Sequence, residues 1–159
     1  YRAHRPGEFV PTAHRPNSMF KKILIPIDLT ELTIAKPALD TAVELALQSK
    51  GALRLITIET LLPASFMEYV PPEFDKSQEE RASRALEDIG AGLAIPKERM
   101  SHTVRFGGIY VEILAEADDW GADLIVVGSH RPSMSTYLIG SNAKTIVRHA
   151  KCSVLVIRT

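Results

Sequence analysis

The residues best suited to chemistry lie in one segment, which runs Gly-Ser-His-Arg-Pro-Ser-Met-Ser-Thr-Tyr-Leu-Ile-Gly-Ser-Asn from Gly128 to Asn142. Gly128 permits close backbone approach, Ser129 and Ser141 supply hydroxyls, and His130 and Arg131 supply positive charge. The helix expected after Gly140, beginning with Ser141 and Asn142, offers free backbone N–H groups and the positive end of its dipole. Together these groups suit a phosphate. The competing reading is a solvated loop in which Ser141 only caps a helix. A second position of interest is Asp28, after Ile25-Pro26-Ile27, where a carboxylate can hold a ligand or cap the next helix. His102, His130 and His149 show no metal-ligand spacing and no accompanying cysteine or carboxylate cluster, which argues against zinc.

The elements that must position these residues follow from hydrophobic period. Short apolar runs at Ile23 to Ile27, Leu53 to Ile58, Val104 to Phe106, Leu124 to Val127 and Val154 to Ile157 read as five strands. Between them, apolar residues recur at spacings of three and four: Leu39, Val43, Ala46; Ala82, Leu86, Ile89, Leu93; Tyr110, Ile113, Leu114, Ala117; and Ala143, Ile146, Val147, Ala150. These predict four amphipathic helices. Ser77 with Glu80 suggests a capping box before the second helix, and Gly51 and Gly121 mark the ends of the first and third. Strands joined by helices imply an α/β fold, a doubly wound parallel sheet covered on both faces. Its ligands belong outside the carboxyl ends of the strands. That location suits Pro26, which would be an awkward residue in the middle of a central strand.

Strand three alternates polar and apolar residues from Ser101 to Phe106, as expected of an edge strand with one wet face. The fifth, Cys152 to Ile157, is continuously apolar, so a covering partner is expected. The connection from Glu59 to Asp75 is unusually long and carries Leu61, Leu62, Phe66, Met67, Tyr69, Val70 and Phe74. It reads as a lid, a protein-binding surface or a satellite of the core.

The chain has 159 residues, 45% apolar and 24% charged, which fits one domain. Residues 1–18 hold three prolines and a repeated Ala-His-Arg-Pro, and are read as a leader added by cloning, outside the domain at 19–159. Basic and acidic residues balance at 19 each over the whole chain, so no basic field for nucleic acid is expected. Apolar runs are far shorter than the roughly 18 residues of a membrane span, so a soluble, cytoplasmic protein is expected. The single cysteine, Cys152, lies in an apolar run and reads as a small core residue.

The Gly128 to Ser141 segment, Ile25-Pro26-Ile27-Asp28 and the terminal Cys-Ser-Val-Leu-Val-Ile strand together resemble the universal stress protein family, especially its small F and G subgroup. The resemblance spans nearly all of residues 19 to 159 and implies sheet order 3-2-1-4-5, with strands three and five at the edges. It also implies ATP as ligand. Asp28, with Pro26 and Ile27 beside it, would lie near ribose and adenine, backbone groups of Thr57 and Ile58 would face the base, and Gly107 would make room for ribose. The family's phosphate motif, Gly-x2-Gly-x9-Gly-[Ser/Thr], matches at Gly128, Gly140 and Ser141. It departs where Arg131 replaces the second glycine and eight residues, not nine, precede Gly140; a guanidinium can itself hold phosphate oxygens in a bidentate manner. Magnesium would be bound through Asp28 and phosphate oxygens.

The function so implied is a homodimeric stress-response sensor or regulatory module, paired through Cys152 to Ile157 and read by an unidentified protein partner. Hydrolysis or self-phosphorylation would be slow at most. The alternatives are a ligand-free dimeric scaffold and a weak ATPase or autokinase. The P-loop pattern Gly-x4-Gly-Lys-[Ser/Thr] and the dinucleotide fingerprint Gly-x-Gly-x-x-Gly are both absent. So is an ATP-pyrophosphatase loop, since Asp28-Leu29-Thr30 follows strand one, and a phosphoacceptor aspartate after strand three, where Gly107-Gly108 stands.

Overall fold

The computed structural model describes residues 19–69, 71, 73–129 and 140–158. The leader reading of residues 1–18 lies outside that range. Five strands, β1 (Lys22–Pro26), β2 (Ala52–Glu59), β3 (Met100–Phe106), β4 (Leu124–Gly128) and β5 (Ser153–Ile157), form one parallel sheet in the order β3-β2-β1-β4-β5. Four helices connect them: α1 (Leu32–Ser49), α2 (Phe74–Ala91), α3 (Ile109–Trp120) and α4 (Ser141–His149). The α/β class and the doubly wound sheet are as the sequence predicts, and the strand order is the one the resemblance implies.

Alternation along the strands divides the core. Ile23, Ile25, Leu53, Leu55, Leu124 and Val126 face α1 and α2 with Ala38, Ala42, Ala46 and Leu86. Leu24, Ile56, Ile125 and Val127 face α3 and α4 with Ile113, Ala117, Ala143 and Ile146. Each fully buried Leu or Ile stabilises the fold by about 1.5–3 kcal/mol, so both layers contribute substantially. The buried stripe of α1 is Ala38, Ala42 and Ala46, one residue removed from the expected Leu39 and Val43, which pack at its flank. Small residues let the helix approach the sheet closely.

Several local expectations change. Helix α2 starts at Phe74, not after Ser77; the Ser77 hydroxyl lies within the helix and donates back to the Phe74 carbonyl at 2.8 Å. Lys50, rather than Gly51, takes the left-handed conformation after α1. Gly51 is needed for proximity instead, because a Cβ there would stand 2.5 Å from the Phe20 carbonyl oxygen. Gly121 does end α3 in the left-handed conformation, at φ 73°. The connection after β2 contains a 3-10 turn, Ala64–Tyr69, with Phe66 and Tyr69 exposed. Cys152 precedes β5, packs at the edge of the α3/α4 core, and has its thiol pKa pushed up by burial. No described helix is long and apolar enough to cross a membrane.

The polar side of β3 is covered. Arg54 on β2 and Arg105 on β3 point to the α3 face, where Glu116 is buried at 4% exposure. Arg54 Nη1 donates to Glu116 Oε1 at 2.6 Å and Arg105 Nε to Oε2 at 2.7 Å. Arg105 also reaches Asp119 at 2.6 Å and Glu112 at 3.3 Å, and the Asp119 contact is the main reason that its pKa rises above the ordinary arginine value. Arg54 further stacks over Trp120, 4.5 Å from the ring centroid. The edge strand therefore has an ion-paired face rather than the wet face its alternation suggests. Glu116→Ala leaves two guanidinium groups short of their shared acceptor and is expected to cost about 3 kcal/mol in urea unfolding. Lys36→Ala, which removes an exposed pair with Asp40, should change stability by no more than about 0.5 kcal/mol.

Candidate functional site

A cavity of about 490 Å³ opens at the carboxyl ends of β1, β2 and β4. Its origin lies in backbone pairing. In a parallel strand, alternate residues direct their backbone groups to alternate neighbours. Ile27 donates its N–H to Ile56 on β2, at 2.7 Å, while the Lys22 carbonyl accepts from Asp123 just before β4. Pro26, in phase with Lys22, therefore faces β4 without an N–H to offer. The β1–β4 ladder holds only Ile23↔Leu124 and Leu24↔Ile125, whereas the β1–β2 ladder continues to Pro26↔Ile56. Beyond Leu24, β1 and β4 are no longer paired, and the cavity occupies the gap.

Of the residues singled out in the sequence, Pro26, Ile27, Asp28, Thr57, Ile58, Gly128 and Asn142 line this cavity. Asp28 Oδ1 accepts the Thr30 N–H at 2.9 Å and the Thr30 hydroxyl at 2.6 Å, so the carboxylate also shapes the turn into α1. Gly140 is the residue before α4, and Lys144 N–H makes the first helical bond to its carbonyl at 2.9 Å. The N–H groups of Ser141, Asn142 and Ala143 thus belong to the open first turn, and Asn142 and Ala143 line the cavity.

Ser129, Gly140 and Ser141 stand beside the cavity without lining it; the Ser129 N–H donates to Ile157 at 2.8 Å and extends the β4–β5 ladder. Gly107 is also outside the lining. Its N–H donates to the Glu59 carbonyl at 3.1 Å, and its φ of 142° suits glycine. His130 and Arg131 lie outside the described residues.

The sequence reading missed Thr30, Glu31, Glu59 and Thr60, which line the cavity along with apolar Ile34, Ile56, Ile109, Ile113 and Ile146. Glu59 was legible only as the first residue of the long connection after the second strand. Asp28, Glu31 and Glu59 make the described lining acidic, with no lysine or arginine in it. Among the described residues no group of three His, Cys, Asp or Glu side chains could hold a metal ion. A magnesium ion at Asp28 would take its remaining ligands from elsewhere, such as phosphate oxygens.

The description "Universal stress protein family" belongs to the family model that matches residues 19–158. Universal stress protein G of Shigella flexneri is 35% identical over 147 residues, covering 88% of this chain and all of the relative. Among solved structures, a universal stress protein from Lactobacillus plantarum superposes with TM-score 0.71 at 23% identity, over 89% of this chain and 100% of that one. A universal stress protein solved in complex with cAMP superposes with TM-score 0.59 at 20% identity, over 88% and 98%.

Two glycines near the cavity should respond differently to a methyl group. At Gly107 a Cβ would meet Glu112 Oε1 at 2.9 Å on a backbone that disfavours any side chain, so Gly107→Ala is expected to lose about 1–3 kcal/mol of stability. At Gly128 nothing among the described residues lies within 4 Å of a Cβ, and Gly128→Ala should stay within about 0.5 kcal/mol of the unmodified protein. Thermal unfolding of the two variants measures the difference.

Proposed function

The chain belongs to the universal stress protein family, and from that premise we propose that it is a cytoplasmic, homodimeric ATP-binding module of the stress response. Nucleotide occupancy would alter a surface read by other proteins. The observation that carries this reading is the polarity of the cavity: open first-turn amides of α4 on one wall, carboxylates on others, and apolar isoleucines in between the polar groups. A ligand matched to it is anionic at one end and uncharged, flat and rich in N–H donors at the other, which describes a nucleotide. The solved relative in complex with cAMP has the same fold. Phosphates would meet Asn142 and the α4 amides, with Gly128, Ser129, Gly140 and Ser141 shaping the approach and His130 and Arg131 supplying charge. Asp28, with Pro26 and Ile27, would face the ribose; Thr57 and Ile58 would face the base. In this reading Gly107 serves by fixing the end of β2.

Turnover is not required. Fast phosphoryl transfer needs an organised metal, charge stabilisation and a positioned base or water. Asp28 is the carboxylate available to magnesium in this reading, and hydrolysis or self-phosphorylation would be slow.

Dimer formation would use β5. The Ile157 carbonyl accepts from Ser129 on the β4 side, so Val154 and Val156, out of phase with it, direct their backbone groups to the open edge. Such an edge favours pairing with a second copy.

Titration calorimetry on nucleotide-stripped protein is expected to show one ATP site per chain. Arg131→Ala should weaken binding by about 1.5–3 kcal/mol, the worth of a charged hydrogen bond. No heat with ATP, or binding of cAMP alone, would sink the ATP reading. Light scattering should give a dimeric mass, and Val156→Pro, which removes an outward N–H while sparing the β4 ladder, should give a monomer.

A further inference from the structure

Resting on the nucleotide reading, we propose that Glu59 is the base-specificity residue of the site, its carboxylate accepting the exocyclic 6-amino group of adenine. Glu59 ends β2 on the same face as buried Thr57, and it lines the cavity. Of the three lining carboxylates it is the one drawn partly into the protein; Asp28 and Glu31 are exposed. Asp28 Oδ1 is already occupied by Thr30, and Glu31 stands at the N-terminus of α1.

Glu59 is held at both ends. Its carbonyl accepts the Gly107 N–H at 3.1 Å, and its Oε2 accepts Gln78 Nε2 from α2 at 2.6 Å. Behind it lies a second hollow of about 260 Å³, shared with Leu29 and lined also by Gln78, Arg81 and Ala82. Glu59 thus lines both spaces, with one carboxylate oxygen held by Gln78.

A carboxylate offers only acceptor sites. It repels phosphate, so it orients the ligand with its anionic end toward α4. It rewards an N–H donor and rejects an oxygen at the same place. Adenine presents an amine at position 6 where guanine and hypoxanthine present a carbonyl, and a partly buried acceptor left unmatched discriminates strongly.

The test is calorimetry with ATP, purine riboside triphosphate (which lacks the 6-amino group) and GTP, on the unmodified chain and on Glu59→Ala and Gln78→Leu. The unmodified chain is expected to bind ATP at least about 10-fold more tightly than either analogue. Glu59→Ala should bring ATP and purine riboside triphosphate within about 2-fold of one another. Gln78→Leu leaves the carboxylate without its anchor and should narrow the ratio at least about 3-fold, which keeps the test open if Glu59→Ala does not fold. Equal binding of ATP and purine riboside triphosphate to the unmodified chain, tighter binding of GTP, or a ratio unchanged in the variants would overturn the role of Glu59 while leaving the nucleotide site standing. Binding of none of the three would overturn the nucleotide reading itself.

Discussion

One absent backbone N–H organises this molecule. In the central strand of a parallel sheet, every residue is committed to one neighbour or the other, and Pro26 falls on the side of β4. The ladder between β1 and β4 ends before it, at the point where the strand order reverses and α1 and α4 leave on opposite faces. A proline that would weaken a closed sheet here leaves unpaired strand ends, and the cavity, Asp28 and the first turn of α4 all take their places around that gap.

The rest of the fold holds the gap in shape. Asp123 accepts the N–H groups of Lys21 and Lys22 at 2.7 and 3.0 Å, which pins the start of β1 against the start of β4 even though their ladder is short. The alanine stripe of α1 presses it against the sheet, and the Arg54–Glu116–Arg105 cluster closes the far edge on the other face. A buried carboxylate shared by two guanidinium groups is costly to disrupt because removing one partner leaves the other's charge desolvated without the attraction that compensated it. Edge strand β3 is therefore held to α3 by charge, whereas β1 and β4 are held by apolar packing.

Polarity in the cavity comes from two different sources. The α4 wall is positive through backbone geometry alone, since its first-turn amides have no acceptors within the helix. The opposing negative character comes from the side chains of Asp28, Glu31 and Glu59, the last of which accepts a hydrogen bond from Gln78 nineteen residues later. Gly107, just after β3, completes that arrangement by bonding to the Glu59 backbone. Residues outside the cavity lining thus hold one of its carboxylate residues.

Much of this was legible in the amino-acid order. Apolar runs of strand length separated by stretches of helical spacing are local signals, and five strands alternating with four helices leave few arrangements other than a doubly wound parallel sheet. The Gly128 to Asn142 segment stood out because its residue types suit an anion, and Asp28 because such sheets present ligands at the carboxyl ends of the strands. What sequence could not resolve depended on partners distant along the chain. Ser77 resembled a cap by spacing, but helix α2 begins a turn earlier. Arg105 resembled a solvated residue because Glu116 and Arg54 meet it only when α3 folds onto β2 and β3. Glu59 carried no motif at all, and became a candidate only when α2 supplied Gln78 and the turn after β3 supplied Gly107. Side-chain period is set by the chain's own geometry and survives in one dimension; electrostatic pairing and cavity lining are set by which elements meet, and only the tertiary structure decides that.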